Sequence, residues 1–119
     1  MAKNTIAYYT KEGNFLTTSV TTGTPQVIFT PGVDGSKVLM VTALAASASN
    51  LELSLYDGVN SYVLYTAVAP TLNLDVLDAT KLPKAPNGLR YINVPTGWTL
   101  RAKMSGGAAT DVAVYGENY

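Results

Sequence analysis

The sequence predicts an all-β protein of short antiparallel strands, packed as a sandwich or barrel. Three observations carry this expectation. Fifteen threonines, eight tyrosines and many valines favour strands, because branched and aromatic side chains suit a pleated, half-buried surface. Turn signals recur at short spacing, at Thr24-Pro25, Pro31-Gly32, Asp34-Gly35, Asp57-Gly58, Asn87-Gly88, Pro95-Thr96-Gly97 and Gly106-Gly107, which is how sandwiches and barrels are punctuated. No stretch sustains a helical period, and the Ala-rich piece Ala43 to Ala48 is followed at once by Ser49 and Asn50.

The strands follow from alternation, since successive side chains of a strand point to opposite faces. Residues 1–13 stand apart as a polar and aromatic N-terminal extension, an arm or an edge strand, and leave 14–119 as the sandwich domain. Val38 to Ala45 is apolar at nearly every position, so it is expected to be covered on both faces, by a neighbouring layer or by a partner. In Leu51-Glu52-Leu53-Ser54-Leu55-Tyr56 the leucines share one face, Asp57-Gly58-Val59-Asn60 turns the chain, and Ser61 to Ala67 returns as the other arm of a hairpin. Leu72, Leu74 and Val76 repeat the pattern, with Asn73 and Asp75 outward. Ala79 to Gly88 reads as a long proline-containing loop, of the kind that is usually functional or disordered. Trp98, Leu100, Ala102 and Met104 form an inward row against Thr99, Arg101, Lys103 and Ser105, and Val112 and Val114 mark the last strand.

Composition narrows function. At 119 residues the chain is one domain with a real core. Only 13% of its residues are charged, and eight basic and eight acidic residues cancel; the usual share is near 25%. A free monomer with so little repulsion is poorly soluble, so much of the surface is expected to be covered by copies of the chain or by another protein. The N-terminus lacks the apolar core of a signal peptide, and no apolar run approaches the roughly 20 residues of a membrane span. Synthesis in the cytoplasm without secretion and without membrane insertion is the expectation.

There is no histidine and no cysteine. That removes triad-type nucleophilic catalysis, disulfides and the usual zinc ligands. Two carboxylates facing a cleft would still suffice for a glycosidase, but Asp34 and Asp57 sit in Asp-Gly turns, where aspartate is the ordinary turn residue. Glu52 and Asp75 fall on outward strand positions. Asp75 and Asp78 are too few acids for a dedicated calcium site, and no Gly-Lys-Ser/Thr follows any isolated glycine. Lys81, Lys84, Arg90, Arg101 and Lys103 gather near Tyr91, yet a net charge of zero argues against nucleic acid. No catalytic residue, metal or cofactor is expected, and the chain is not expected to be an enzyme. Trp98 is either a sugar platform or, from its inward phase, a core residue. Tyr8, Tyr9, Tyr56, Tyr62, Tyr65, Tyr91, Tyr115 and Tyr119 cannot all be interior, and surplus tyrosine points to a binding surface.

From Leu89-Arg90-Tyr91-Ile92-Asn93-Val94-Pro95-Thr96-Gly97-Trp98 through the alternating strand to Met104-Ser105, and on to Val112-Ala113-Val114-Tyr115-Gly116, the chain resembles small phage virion proteins of the capsid decoration, or cement, type. Val38 to Leu44 and Leu51 to Gly58 fit the same pattern, and the resemblance covers roughly residues 26–116. It implies a jelly roll or related sandwich that forms a homo-oligomer, dimer or trimer, on the major capsid protein or another virion protein, and so a virion location. It carries over no catalytic residues. The Thr80 to Asn87 loop departs from the pattern in being longer and more basic. Tyr8 and Tyr9 in the arm, and Lys81 and Lys84 in the loop, are the expected partner contacts. A tail- or fibre-associated subunit and a carbohydrate-binding module are the alternatives.

Overall fold

The computed structural model describes residues 12–21, 23–44, 50–67, 74–75, 77, 82–84, 88, 90–106 and 110–119. Nine strands account for most of them: β1 (Glu12–Val20), β2 (Gln26–Phe29), β3 (Ser36–Leu44), β4 (Leu51–Tyr56), β5 (Ser61–Ala67), β6 (Leu74–Asp75), β7 (Ile92–Val94), β8 (Thr99–Met104) and β9 (Thr110–Asn118). They form two antiparallel sheets. One has the order β1-β9-β3-β6, with the three-residue β7 continuing the β6 edge along β3, and the other has the order β2-β8-β4-β5. Apart from the β4–β5 hairpin and the break between β6 and β7, every connection crosses from one sheet to the other. This order is that of an eight-stranded jelly roll, with one strand split into β6 and β7.

The alternation anticipated from the sequence is what fills the core. Leu100, Ala102 and Met104 of β8 lie opposite Leu55, Leu53 and Leu51 of β4. These meet Val112 and Val114 of β9, Val38, Val41 and Ala43 of β3, and Ile92 and Val94 of β7 from the facing sheet. Ile28 and Phe29 close one side. Gly116 is the close point between the layers: a Cβ there would stand 2.5 Å from Phe29 Cζ, so only a bare α-carbon lets that ring lie across β9.

Turn chemistry holds the strands in register. The amide of Trp98 donates to the carbonyl of Pro95 at 3.0 Å with Gly97 at φ 86°, a type II arrangement whose third residue must take positive φ. In the β4–β5 hairpin Asp57 Oδ1 accepts from the amides of Val59 (2.8 Å) and Asn60 (2.7 Å), and Gly58 takes φ 102°.

β1 is a nine-residue edge strand that begins at Glu12, and residues 1–11 of the expected arm or edge strand lie outside the described residues. Two features differ from the sequence expectations. β3 starts at Ser36 and carries a bulge between Val38 and Met40. The loop before β7 is partly a ladder, because Lys84 bridges Arg90 and the amide of Tyr91 donates to the carbonyl of Pro83. Of the expected Leu72, Leu74 and Val76 strand, Leu74 is in β6, at the register position opposite Ala43; Leu72 and Val76 lie outside the described residues.

Candidate interaction surface

The pairing register assigns each residue of the β1-β9-β3 sheet to a face. Val112, Val114 and Gly116 are buried, so their neighbours Asp111, Ala113, Tyr115 and Glu117 form the outer face. Across the ladder, Phe15 pairs with Tyr115 and Thr17 with Ala113 on β1, while Met40 pairs with Tyr115 and Thr42 with Ala113 on β3. Two rows therefore cross three strands: Phe15-Tyr115-Met40 and Thr17-Ala113-Thr42. Neither contains a charge. Phe15 is 60% exposed, which water does not favour for a side chain of that size.

Tyr115 makes this face flat. A Cβ on Gly13 would lie 2.8 Å from Tyr115 Cζ, so the ring rests on bare backbone of the neighbouring strand instead of standing up. Its hydroxyl donates to Glu117 Oε2 at 3.0 Å, and the hydrogen bond to a carboxylate pushes the phenol pKa upward, with burial and the Glu117 charge adding to it.

Charge is confined to the margins of the face. At one end Lys37 lies opposite Glu117, with 3.9 Å between Nζ and Oε1 and 3% of the lysine side chain exposed. Burial lowers the lysine pKa, and the Glu117 carboxylate only partly offsets that. Beside them Tyr119 hydrogen-bonds Asn93 Oδ1, and burial, with a contribution from Tyr91, pushes its phenol pKa up to about 12. At the other end Asp111 is exposed on β9; the register sets Asp75 of β6 opposite Thr42, at the lateral edge of the sheet.

Val38 to Ala45 was expected to be apolar on both faces. Its inward members Val38, Val41 and Ala43 belong to the core, Met40 and Thr42 belong to the outer rows, and Leu39 at the bulge is buried outside the core cluster. Of the expected contact residues, Lys84 is exposed beside its bridge to Arg90, whose Nη1 donates to the carbonyl of Leu82 at 2.5 Å. Tyr8, Tyr9 and Lys81 lie outside the described residues. None of the six described tyrosines is fully buried. The flat Phe15-Tyr115-Met40 row was missed at the sequence level. Only the register brings Phe15, a residue with no alternating neighbours, beside Tyr115.

A second feature lies at the end of the sandwich where β3 begins and β9 ends, near Tyr119. Trp98 is half-buried, packs against the core and stacks on Tyr62 with 5.8 Å between ring centroids. It lines a shallow cleft of about 340 Å³ with Thr30, Pro31, Gly32, Val33, Thr96, Gly97 and Thr99. Thr96 Oγ1 donates to the carbonyl of Val33 and ties the two loops that form this cleft.

Among the described residues no group of three or more Asp or Glu is placed to hold a metal ion. No protein-family model, curated protein or solved structure matches the chain. Fold and surface together define a class, a jelly-roll domain with a flat uncharged outer sheet face.

Proposed function

We propose that the chain is a structural subunit of a phage particle, a capsid decoration protein that binds the assembled shell and stabilises it. The observation that carries this reading is the outer face of the β1-β9-β3 sheet. Its rows Phe15-Tyr115-Met40 and Thr17-Ala113-Thr42 are flat and uncharged, and its lysine is sunk into a pair with Glu117. Such a face suits a partner better than water. The phage setting comes from the strand-and-turn resemblance described above. The work done on the shell is mechanical: a subunit that bridges two capsid proteins must leave both before the shell opens there, and many copies sum through multivalency.

Adding the purified protein to particles that lack it, then heating them with a genome-sensitive dye, tests the reading. Stoichiometric binding to the head with a raised release temperature is the expected result. Binding confined to the tail would assign the chain to a tail- or fibre-associated role, and no binding to any part of the particle refutes the proposal. The Trp98–Tyr62 stack beside a shallow cleft favours a second reading, a carbohydrate-binding module, because sugar rings stack on exposed indole faces. Saturable binding on a glycan array would support it.

A further inference from the structure

We infer that two copies of this chain pair along β1, antiparallel and centred on Leu16, so that two sandwiches share one continuous sheet. The inference rests on the reading of the chain as an assembly subunit and adds where and how the copies meet.

The argument begins with the edges. A strand at the edge of a sheet presents unpaired N–H and C=O groups, and proteins blunt such edges with short strands, bulges, proline or charge. Three of the edges here are blunted. β2 has four residues, a register shift between Val27 and Phe29, and Pro25 and Pro31 on either side. β5 carries a shift opposite Leu53 and Ser54. The edge beyond β3 is divided between the two-residue β6 and the three-residue β7. Among the described residues β1 has neither a shift nor a proline: it pairs with β9 over nine consecutive residues, and its one charge is at its first position, Glu12.

The side chains of β1 indicate what completes it. Phe15 (60% exposed) and Leu16 (42% exposed) leave both faces of this edge apolar, so an added strand gains on each side of the sheet. A second copy fits the charges as well. In a two-fold pair about Leu16, residue 12 of one copy faces residue 20 of the other. Glu12, the one charged residue of β1, then lies opposite Val20, and the two glutamates stand roughly 27 Å apart at about 3.4 Å per residue. That is far beyond a Debye length in ordinary salt. Leu16 meets Leu16 of its copy on the inner side. On the outer side each Phe15 sits opposite Thr17 and diagonal to the other Phe15, within aromatic reach. The two uncharged outer faces become one, and the contact is isologous, so it closes at a dimer.

The chain has no cysteine, which makes the test direct. Opposed α-carbons of an antiparallel pair are about 4.5–5.5 Å apart, inside the disulfide range. Leu16→Cys should therefore oxidise to a covalent dimer, whereas Val63→Cys on the β5 edge should not. Sedimentation of the unmodified protein at tens of micromolar should give twice the chain mass. Phe15→Lys, at an exposed site, should raise the dimer dissociation constant at least tenfold with an unchanged circular dichroism spectrum. A monomeric unmodified protein overturns the inference, as does a dimer that cross-links through Val63→Cys and not Leu16→Cys, or one indifferent to Phe15→Lys. Particle binding is scored separately: a monomer that still loads on heads overturns the pairing alone, and a β1-paired dimer that binds no particle overturns the decoration role alone.

Discussion

Gly116 and Lys37 sit side by side in the ladder and show two different local costs. At Gly116 the constraint is space. Its missing side chain is where the Phe29 ring lies, with the carbonyl of Lys37 3.3 Å from the position a Cβ would take. Gly116→Ala must move a fully buried ring or the β9 backbone, an overpacking change that costs about 1–3 kcal/mol; a lowered urea midpoint with an unchanged slope checks it. At Lys37 the constraint is solvation. The ammonium is almost fully buried while Glu117 remains a quarter exposed and accepts from Tyr115. Removing the carboxylate strands a buried charge, whereas removing the lysine leaves a carboxylate that still has water and a hydroxyl. Glu117→Gln should cost roughly 1–3 kcal/mol, below the figure for a fully buried pair, and Lys37→Met should change stability by less than about 1 kcal/mol in either direction. The lowered lysine pKa gives the matching pH signature. Between the folded pKa and the ordinary value of 10.5 the unfolded chain binds the extra proton, so this residue's contribution to stability rises with pH across that window. Lys37→Met should lack that rise in denaturant titrations.

Among the elements, the β4–β5 hairpin is the one most completely written in local chemistry. Asp57 caps its turn through two backbone amides, and Tyr62 donates to its other oxygen at 3.1 Å. The amide of Asn60, then that of Val59, holds the carboxyl below its ordinary 3.8. A depressed carboxyl pKa stabilises the fold above the unfolded value and loses that contribution as pH falls through the folded one. Asp57→Ala should therefore speed hydrogen exchange at Val59 and Asn60 and flatten the acid limb below pH 4, while Asp57→Asn keeps much of the turn; amide exchange by NMR separates the two. β4, β8 and β9 were legible because each has a dry face and a wet face, and alternation reports that contrast. β5, which has no buried residue among those described, was legible only as the return arm after the Asp57-Gly58 turn. β1 lacked the contrast. As an edge strand it leaves Leu16 half in water and places Thr17, Thr18 and Ser19 in succession, so no period announced it. β3 was found but its faces were not resolved, because the bulge at Leu39 shifts the phase by one residue. The candidate surface was legible only as a surplus of tyrosine and a shortage of charge. Its location depends on non-local pairing of residues 15, 40 and 115, which no local window contains.

For the whole molecule, the distribution of charge separates two ways of meeting a shell. The sequence pointed to rim contacts through Lys81 and Lys84, and Lys84 is indeed exposed, beside Arg90. The outer sheet face is of another kind, with charge only at its margins and an uncharged centre from Phe15 to Met40. Rim charges act mainly on association rate and are screened by salt, whereas burial of apolar surface is not weakened by screening and is strengthened by salting-out ions. If the sheet face forms the seat, protein already bound to particles should stay bound when sodium chloride rises from about 0.05 to 0.5 M, a range over which the Debye length shrinks about threefold. Loading of fresh protein should slow over the same range where the Lys84 loop guides approach. Met40→Glu, which sets a charge at the β3 end of the otherwise uncharged outer row, should reduce retention at every salt concentration and leave the loading rate's salt slope unchanged. Lys84→Ala should do the reverse. Surface plasmon resonance on immobilised particles reads both rates, and rapid release of bound protein at high salt would show that the seat is ionic and that the uncharged sheet face is not the part that holds the shell.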